Sequence, residues 1–238
     1  VVAVEKAGAA GGSSKYSGGF ITGVGTEQQQ AVGYDLDVDG YMDYFNSCTD
    51  QSVKADETDR DAVRAMIERS AGDIKFLEEH GIGITGPDGF GGDFLVWHYP
   101  ATRTSAFDGD AGGADHIVAG MDYLDAQENF SIYYNTPATS ILTDDSGAIT
   151  GVLCERDDGS TLTVNAKSVV LSCGGWAASP ELMERFCPDF PSEWILPYTT
   201  AAMTDTGDGI TMAEALGAAV YEDGWWMDLA IGVDPGGY

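Results

Sequence analysis

Apolar and polar positions along the 238-residue chain change their period several times, and each change marks an element. Residues 1–5 are an apolar run that ends on Glu5 and read as a buried strand. The stretch from Ala7 to Gly19 is dominated by Ala, Gly and Ser, which cannot build a core but let a backbone approach a ligand closely, so it reads as a loop. Helical spacing follows over 38–50 and 58–80. In the second of these Val63, Ile67, Ile74 and Leu77 share one face, and His80-Gly81 supplies a stop. Residues 83–114 are glycine-rich without a period and predict a long irregular segment. Helical periodicity returns over 115–128 through Ile117, Met121 and Leu124. Strand-like runs then fall at 131–134, 139–142, 149–154 and 161–164. Turn residues at 144–147 and 157–160 join the last three into an antiparallel meander. The continuous apolar run 168–173 predicts a buried parallel strand ending on Gly174-Gly175, with helices near 180–187 and 209–217. The order of elements is α/β, with one main domain and an inserted antiparallel β-meander.

Composition narrows the classes. With 43% hydrophobic residues the chain has enough apolar material for an ordered core, and no apolar run is long enough to span a bilayer. The N-terminal run lacks the basic start and the length of a signal peptide, and reads as a strand that begins in the middle of a fold. Thirty-nine acids against 11 Lys and Arg give a net charge of −28, a field that repels nucleic acid and anionic membranes and favours solubility. Cys48, Cys154, Cys173 and Cys187 lie far apart with no histidine at ligand spacing, which argues against a metal centre. Cys154 and Cys173 sit in apolar runs and read as small buried hydrophobes.

Candidate chemistry collects around the glycines. An acid closing a strand, as Glu5 does, is what a dinucleotide-binding fold uses to accept hydrogen bonds from ribose hydroxyls. The glycine fingerprint that belongs to such a fold would lie some 20 to 30 residues earlier. The run Val4-Glu5-Lys6, then Gly11-Gly12-Ser13-Ser14, then Ser17-Gly18-Gly19 resembles the fumarate reductase and succinate dehydrogenase flavoprotein family, which includes soluble fumarate reductases, urocanate reductases and ketosteroid dehydrogenases. Further segments resemble the same family in the same order: Asn135 to Leu142, Ala166 to Trp176, and Thr206-Gly207-Asp208-Gly209.

The resemblance implies a partial Rossmann-like FAD-binding domain over 1–224, lacking its first glycine fingerprint, and the start of a capping or substrate domain over 225–238. It implies FAD as cofactor, held by Glu5, Lys6, Gly11, Gly12, Ser13, Ser14, Ser17, Gly18, Gly19, Ala138, Gly174, Thr206 and Asp208. It also implies reduction or formation of a carbon–carbon double bond in a small-molecule substrate, with electrons exchanged with another domain or protein. Catalytic residues are expected beyond residue 238, and on that expectation residues 1–238 alone bind FAD poorly. His98, in a His-Tyr-Pro segment where the family carries His-Arg-Pro, is either a cleft residue or a structural one; Tyr99 in place of Arg leaves that position without its anion-binding group. His80 reads as a helix cap and His116 as a residue at a helix start. An aspartate-oxidase-like flavoenzyme and a non-catalytic flavin-binding module remain alternatives. No metal is expected.

Overall fold

The computed structural model describes residues 1–52, 55–89, 92–102, 112–188 and 204–220. The chain divides into two compact units: Val1–Ser13 with Gln127–Tyr238, and Ser14–Ala126. The segment 225–238, where the start of a second domain is expected, lies outside the described residues.

In the first unit, β1 (Val2–Val4) pairs in parallel with β5 (Ser131–Tyr133), in the register Val2–Ser131 to Val4–Tyr133. The pairing continues past the strand, because the Glu5 N–H donates to the Tyr133 carbonyl (2.9 Å) and the Thr136 N–H to the Glu5 carbonyl (2.9 Å). The predicted meander is present as β6 (Ala138–Thr143), β7 (Ile149–Glu155) and β8 (Thr161–Asn165), all antiparallel neighbours. Its first turn is held by Asp144, whose Oδ1 accepts from the Ser146 and Ala148 N–H groups at 2.8 and 3.1 Å. Two short helices follow among the described residues: α5 (Pro180–Phe186), capped by Ser179, and α6 (Asp208–Glu214). Leu182, Phe186 and Cys187 form their shared core with Trp176, Ile210 and Val220.

The run 168–173 is not a strand, contrary to its apolar pattern. Among the described residues no strand lies beside it to supply a hydrogen-bond ladder. Its side chains are accordingly open: Val170 is 86% exposed, and Cys173 is exposed where a buried residue was expected. Cys154 is buried as expected, and burial pushes its thiol pKa up.

The described residues of the second unit form α-helices and a small sheet. Helix α2 (Val38–Thr49) is capped by Asp37, α3 (Arg60–Glu79) by Asp59, and α4 spans Gly112–Asp125, three residues earlier than its periodicity suggests. The short α1 (Glu27–Ala31) starts with a capping box in which Thr26 and Gln29 bond each other's backbone N–H. The segment 83–114 is less irregular than its glycines predict. Within it β3 (Ile84–Asp88) and β4 (Trp97–Pro100) pair antiparallel, and β2 (Ile21–Thr22) joins the other edge of β4. Gly86-Pro87 inside β3 and Pro100 at the end of β4 disguised these strands, since Pro and Gly are breakers by composition. The core joins Val24, Ile67 and Val96 to Leu36, Val63, Phe94 and Trp97.

Candidate functional site

In the first unit the end of β1 is the organising point. The Glu5 carboxylate turns back onto its own loop, Oε1 accepting from the Ala7 N–H at 2.7 Å. Among the described residues no donor bonds its second oxygen, which remains an acceptor at the strand end. Thr136, fully buried, follows from the backbone bond to Glu5 and is fixed on its own side by Oγ1, which donates to the Tyr134 carbonyl (2.8 Å) and accepts from Arg156 Nε (3.2 Å). Ala138 begins β6 two residues later, so the Glu5 and Ala138 positions are joined by a short, hydrogen-bonded path.

Lys6 points to the segment before α6. Its ammonium donates to Thr206 Oγ1 at 2.6 Å and to Asp208 Oδ2 at 2.7 Å, while Thr206 Oγ1 donates to Asp208 Oδ1 at 2.8 Å. Three of the sequence candidates, 200 residues apart in the chain, thus form one network. It is only half-buried, which limits what the ion pair adds to stability. Two of the three ammonium N–H groups are used; the third has no partner among the described residues.

A second link ties Ser13 to Asp205. The Ser13 hydroxyl donates to Asp205 Oδ2, and the Asp205 carbonyl accepts from the Ala178 N–H (2.9 Å). Asp205 is a buried carboxylate that no sequence motif marks. Its only sequence signal is its place next to Thr206-Gly207-Asp208-Gly209. The same carboxylate explains Gly174: this residue has φ +78°, and a Cβ on it would lie 2.5 Å from Asp205 Oδ1. Nearby, Cys173 is exposed as a residue, but its sulfur lies against Gly209; desolvation, then the Asp208 charge, holds the thiol above its usual range. It is therefore not a ready thiolate.

The second unit holds the remaining candidates. Ser17 folds back on Ser14, its N–H and Oγ both bonding the Ser14 carbonyl at 3.2 and 2.8 Å, and its Oγ accepts from the Gly19 N–H at 3.2 Å. The loop lies directly on the first turn of α4. The Gly113 N–H donates to the Ser17 carbonyl (3.0 Å), and a Cβ on Gly19 (φ +72°) would sit 2.6 Å from the Gly112 carbonyl carbon. His116 closes the contact, with Nε2 2.9 Å from the Gly19 carbonyl oxygen.

His98 lies elsewhere in this unit and is fully buried. Its Nδ1–H donates to the Val96 carbonyl (3.1 Å), Nε2 lies 2.9 Å from Thr26 Oγ1, and burial lowers the pKa, which favours the neutral ring. It fastens β4 to the start of α1. His80 caps α3, its Nδ1 2.6 Å from the Phe76 carbonyl. Among the described residues there is no group of three His, Cys, Asp or Glu placed to hold a metal ion, and no described helix is long and apolar enough to cross a membrane.

These features fit FAD on their own chemistry. An acceptor carboxylate stands at a strand end, Gly12 has open space where a side chain would stand, and a lysine keeps a spare donor. Known proteins agree. The chain is 24% identical over 227 residues to a probable fumarate reductase of Shewanella frigidimarina, covering 94% of this chain and 36% of that protein. It is 28% identical over 223 residues to the urocanate reductase of Eggerthella lenta, covering 92% of this chain and 34% of that one. The open conformation of a flavocytochrome c3 fumarate reductase superposes with a TM-score of 0.76 at 25% identity, over 92% of this chain and 36% of that structure. The chain thus spans about a third of the length of these relatives. The sequence model of one family, described as FAD binding domain, matches residues 1–229, and the chain belongs to that family.

Proposed function

We propose that the protein is an FAD-dependent oxidoreductase that reduces, or forms, a carbon–carbon double bond next to a carbonyl or carboxylate, and that residues 1–224 are its FAD-binding domain. The observation that carries this reading is the meeting of Glu5, Lys6, Ser13, Gly174, Thr206 and Asp208, drawn from three distant segments, around one strand end in the first unit. The relatives' names, fumarate reductase and urocanate reductase, set the substrate class: both compounds carry a double bond conjugated to a carboxylate.

In this reading Glu5 accepts hydrogen bonds from ribose hydroxyls, and the backbone at Ala138 meets the adenine. Lys6 and the Gly11–Gly12 backbone face the phosphates. Lys6 is aimed by Thr206 and Asp208, and Ser13 by Asp205. In the second unit Ser14, Ser17, Gly18 and Gly19 offer hydroxyls and bare backbone to the flavin. Bound FAD supplies the hydride chemistry, and the protein supplies position and electrostatics. A partner domain or protein exchanges the electrons.

The test uses the full-length protein loaded with FAD and reduced without oxygen, then mixed with fumarate, urocanate, a vinyl phenol or a 3-oxosteroid that carries a ring double bond conjugated to its ketone. Rapid return of the oxidised flavin spectrum with an unsaturated acid is the expected result. Failure of all four compounds to reoxidise it would contradict the substrate class while leaving the cofactor reading intact.

A further inference from the structure

His116 carries an unexplained atom. Its Nε2 bonds the Gly19 carbonyl, an oxygen that can only accept, so Nε2 holds the ring proton and Nδ1 of the neutral ring is a lone-pair acceptor. That Nδ1 is buried and has no hydrogen-bond partner among the described residues. A buried polar atom left without a partner is costly, and native proteins rarely tolerate one without a ligand, water or other role to account for it. The ring cannot easily turn away. Its α4 turn is pressed against the Ser14–Gly19 loop, where a Cβ on Gly113 would fall 1.9 Å from the Ser14 carbonyl oxygen. The same imidazole holds the carbonyl of the Gly19–Phe20 peptide, where Gly19 has no side chain to fix the backbone.

We propose that His116 is a cofactor-binding residue: Nε2–H fixes the Gly19–Phe20 peptide, and Nδ1 accepts a hydrogen bond from a donor on the bound flavin nucleotide. The inference rests on the reading that this loop faces FAD. The available donors are a ring N–H and the ribityl hydroxyls, which share the chemistry the lone pair requires.

The experiment compares full-length parent protein with His116→Gln and His116→Leu. The Gln amide can still donate to Gly19 but removes the Nδ1 acceptor; Leu removes both. FAD affinity is measured by calorimetry on apo-protein, the midpoint potential on the bound flavin, and folding by thermal unfolding of the apo-protein. The expected result is FAD binding about tenfold weaker in H116Q, with unfolding of the apo-protein unchanged, and weaker still in H116L. If the donor is on the ring, the potential also moves, by about 30 mV for a tenfold change in relative affinity for the two redox states of a two-electron couple. If it is a ribityl hydroxyl, affinity falls and the potential holds. H116Q with parental affinity and potential overturns the proposal, and this variant decides alone if H116L does not fold. A parent protein that takes up no FAD would instead refute the reading of the site.

Discussion

Gly19 and Gly33 have almost the same backbone angle, φ +72° and +71°, but opposite surroundings. A Cβ on Gly33 meets nothing within 4 Å, whereas one on Gly19 lies 2.6, 2.7 and 2.9 Å from backbone atoms of Gly112 and Gly113. Alanine at either position bears the left-handed backbone cost, about 1–2 kcal/mol. At Gly19 the loop or the first turn of α4 must also move, and overpacking of this kind adds about 1–3 kcal/mol. Gly33→Ala should therefore cost about 1–2 kcal/mol and Gly19→Ala about 2–5 kcal/mol. Urea unfolding of the full-length apo-protein, with unchanged slope, gives both values. Losses equal to within about 0.5 kcal/mol would refute the close approach of the Ser14–Gly19 loop to α4. The same pair separates stability from binding: Gly19→Ala should lose FAD, and Gly33→Ala should keep it.

Three other outcomes follow from the geometry. His98 is buried and neutral, with its pKa lowered from 6.5, so below about pH 6.5 the unfolded chain binds the extra proton and stability falls as pH falls. The slope from this group is at most about 1.4 kcal/mol per pH unit, and His98→Gln should flatten the urea-unfolding profile between pH 7.5 and 5.5; an unchanged profile counts against the buried neutral ring. Asp205→Ala should cost about 1.5–3 kcal/mol by removing the charged acceptor of the Ser13 hydroxyl, and Asp205→Asn should recover part of it; equal losses in the two variants would deny that bond a role. With a net charge of −28, raising NaCl from about 0.05 to 0.5 M should raise the unfolding temperature by screening self-repulsion, and a flat response would contradict that.

Local chemistry made part of this structure legible in the sequence. The meander is readable because Asp144 and Gly147 encode a tight turn, and α3 because Ile67 and Ile74 recur at helical spacing and both end up buried. The β2–β4–β3 sheet was hidden because its strands contain Gly86, Pro87 and Pro100, and its pairing joins Ile21 to His98 across the chain. The run around Val170 differs in the other direction: hydrophobicity alone does not make a strand, and among the described residues no neighbour pairs with it. Motifs identified Lys6, Thr206 and Asp208, but not that they bond one another. Asp205 has no motif of its own and His116 reads from sequence only as a residue at a helix start, because each acts on a backbone or hydroxyl that only the folded chain brings near.

The flavin content of the full-length protein is the most direct measurement of whether its FAD site is filled. The protein should be yellow with one FAD per chain, its visible absorbance bleached by dithionite and its affinity lowered in Lys6→Met. A correctly folded, colourless protein that cannot be reconstituted with FAD would contradict the FAD reading.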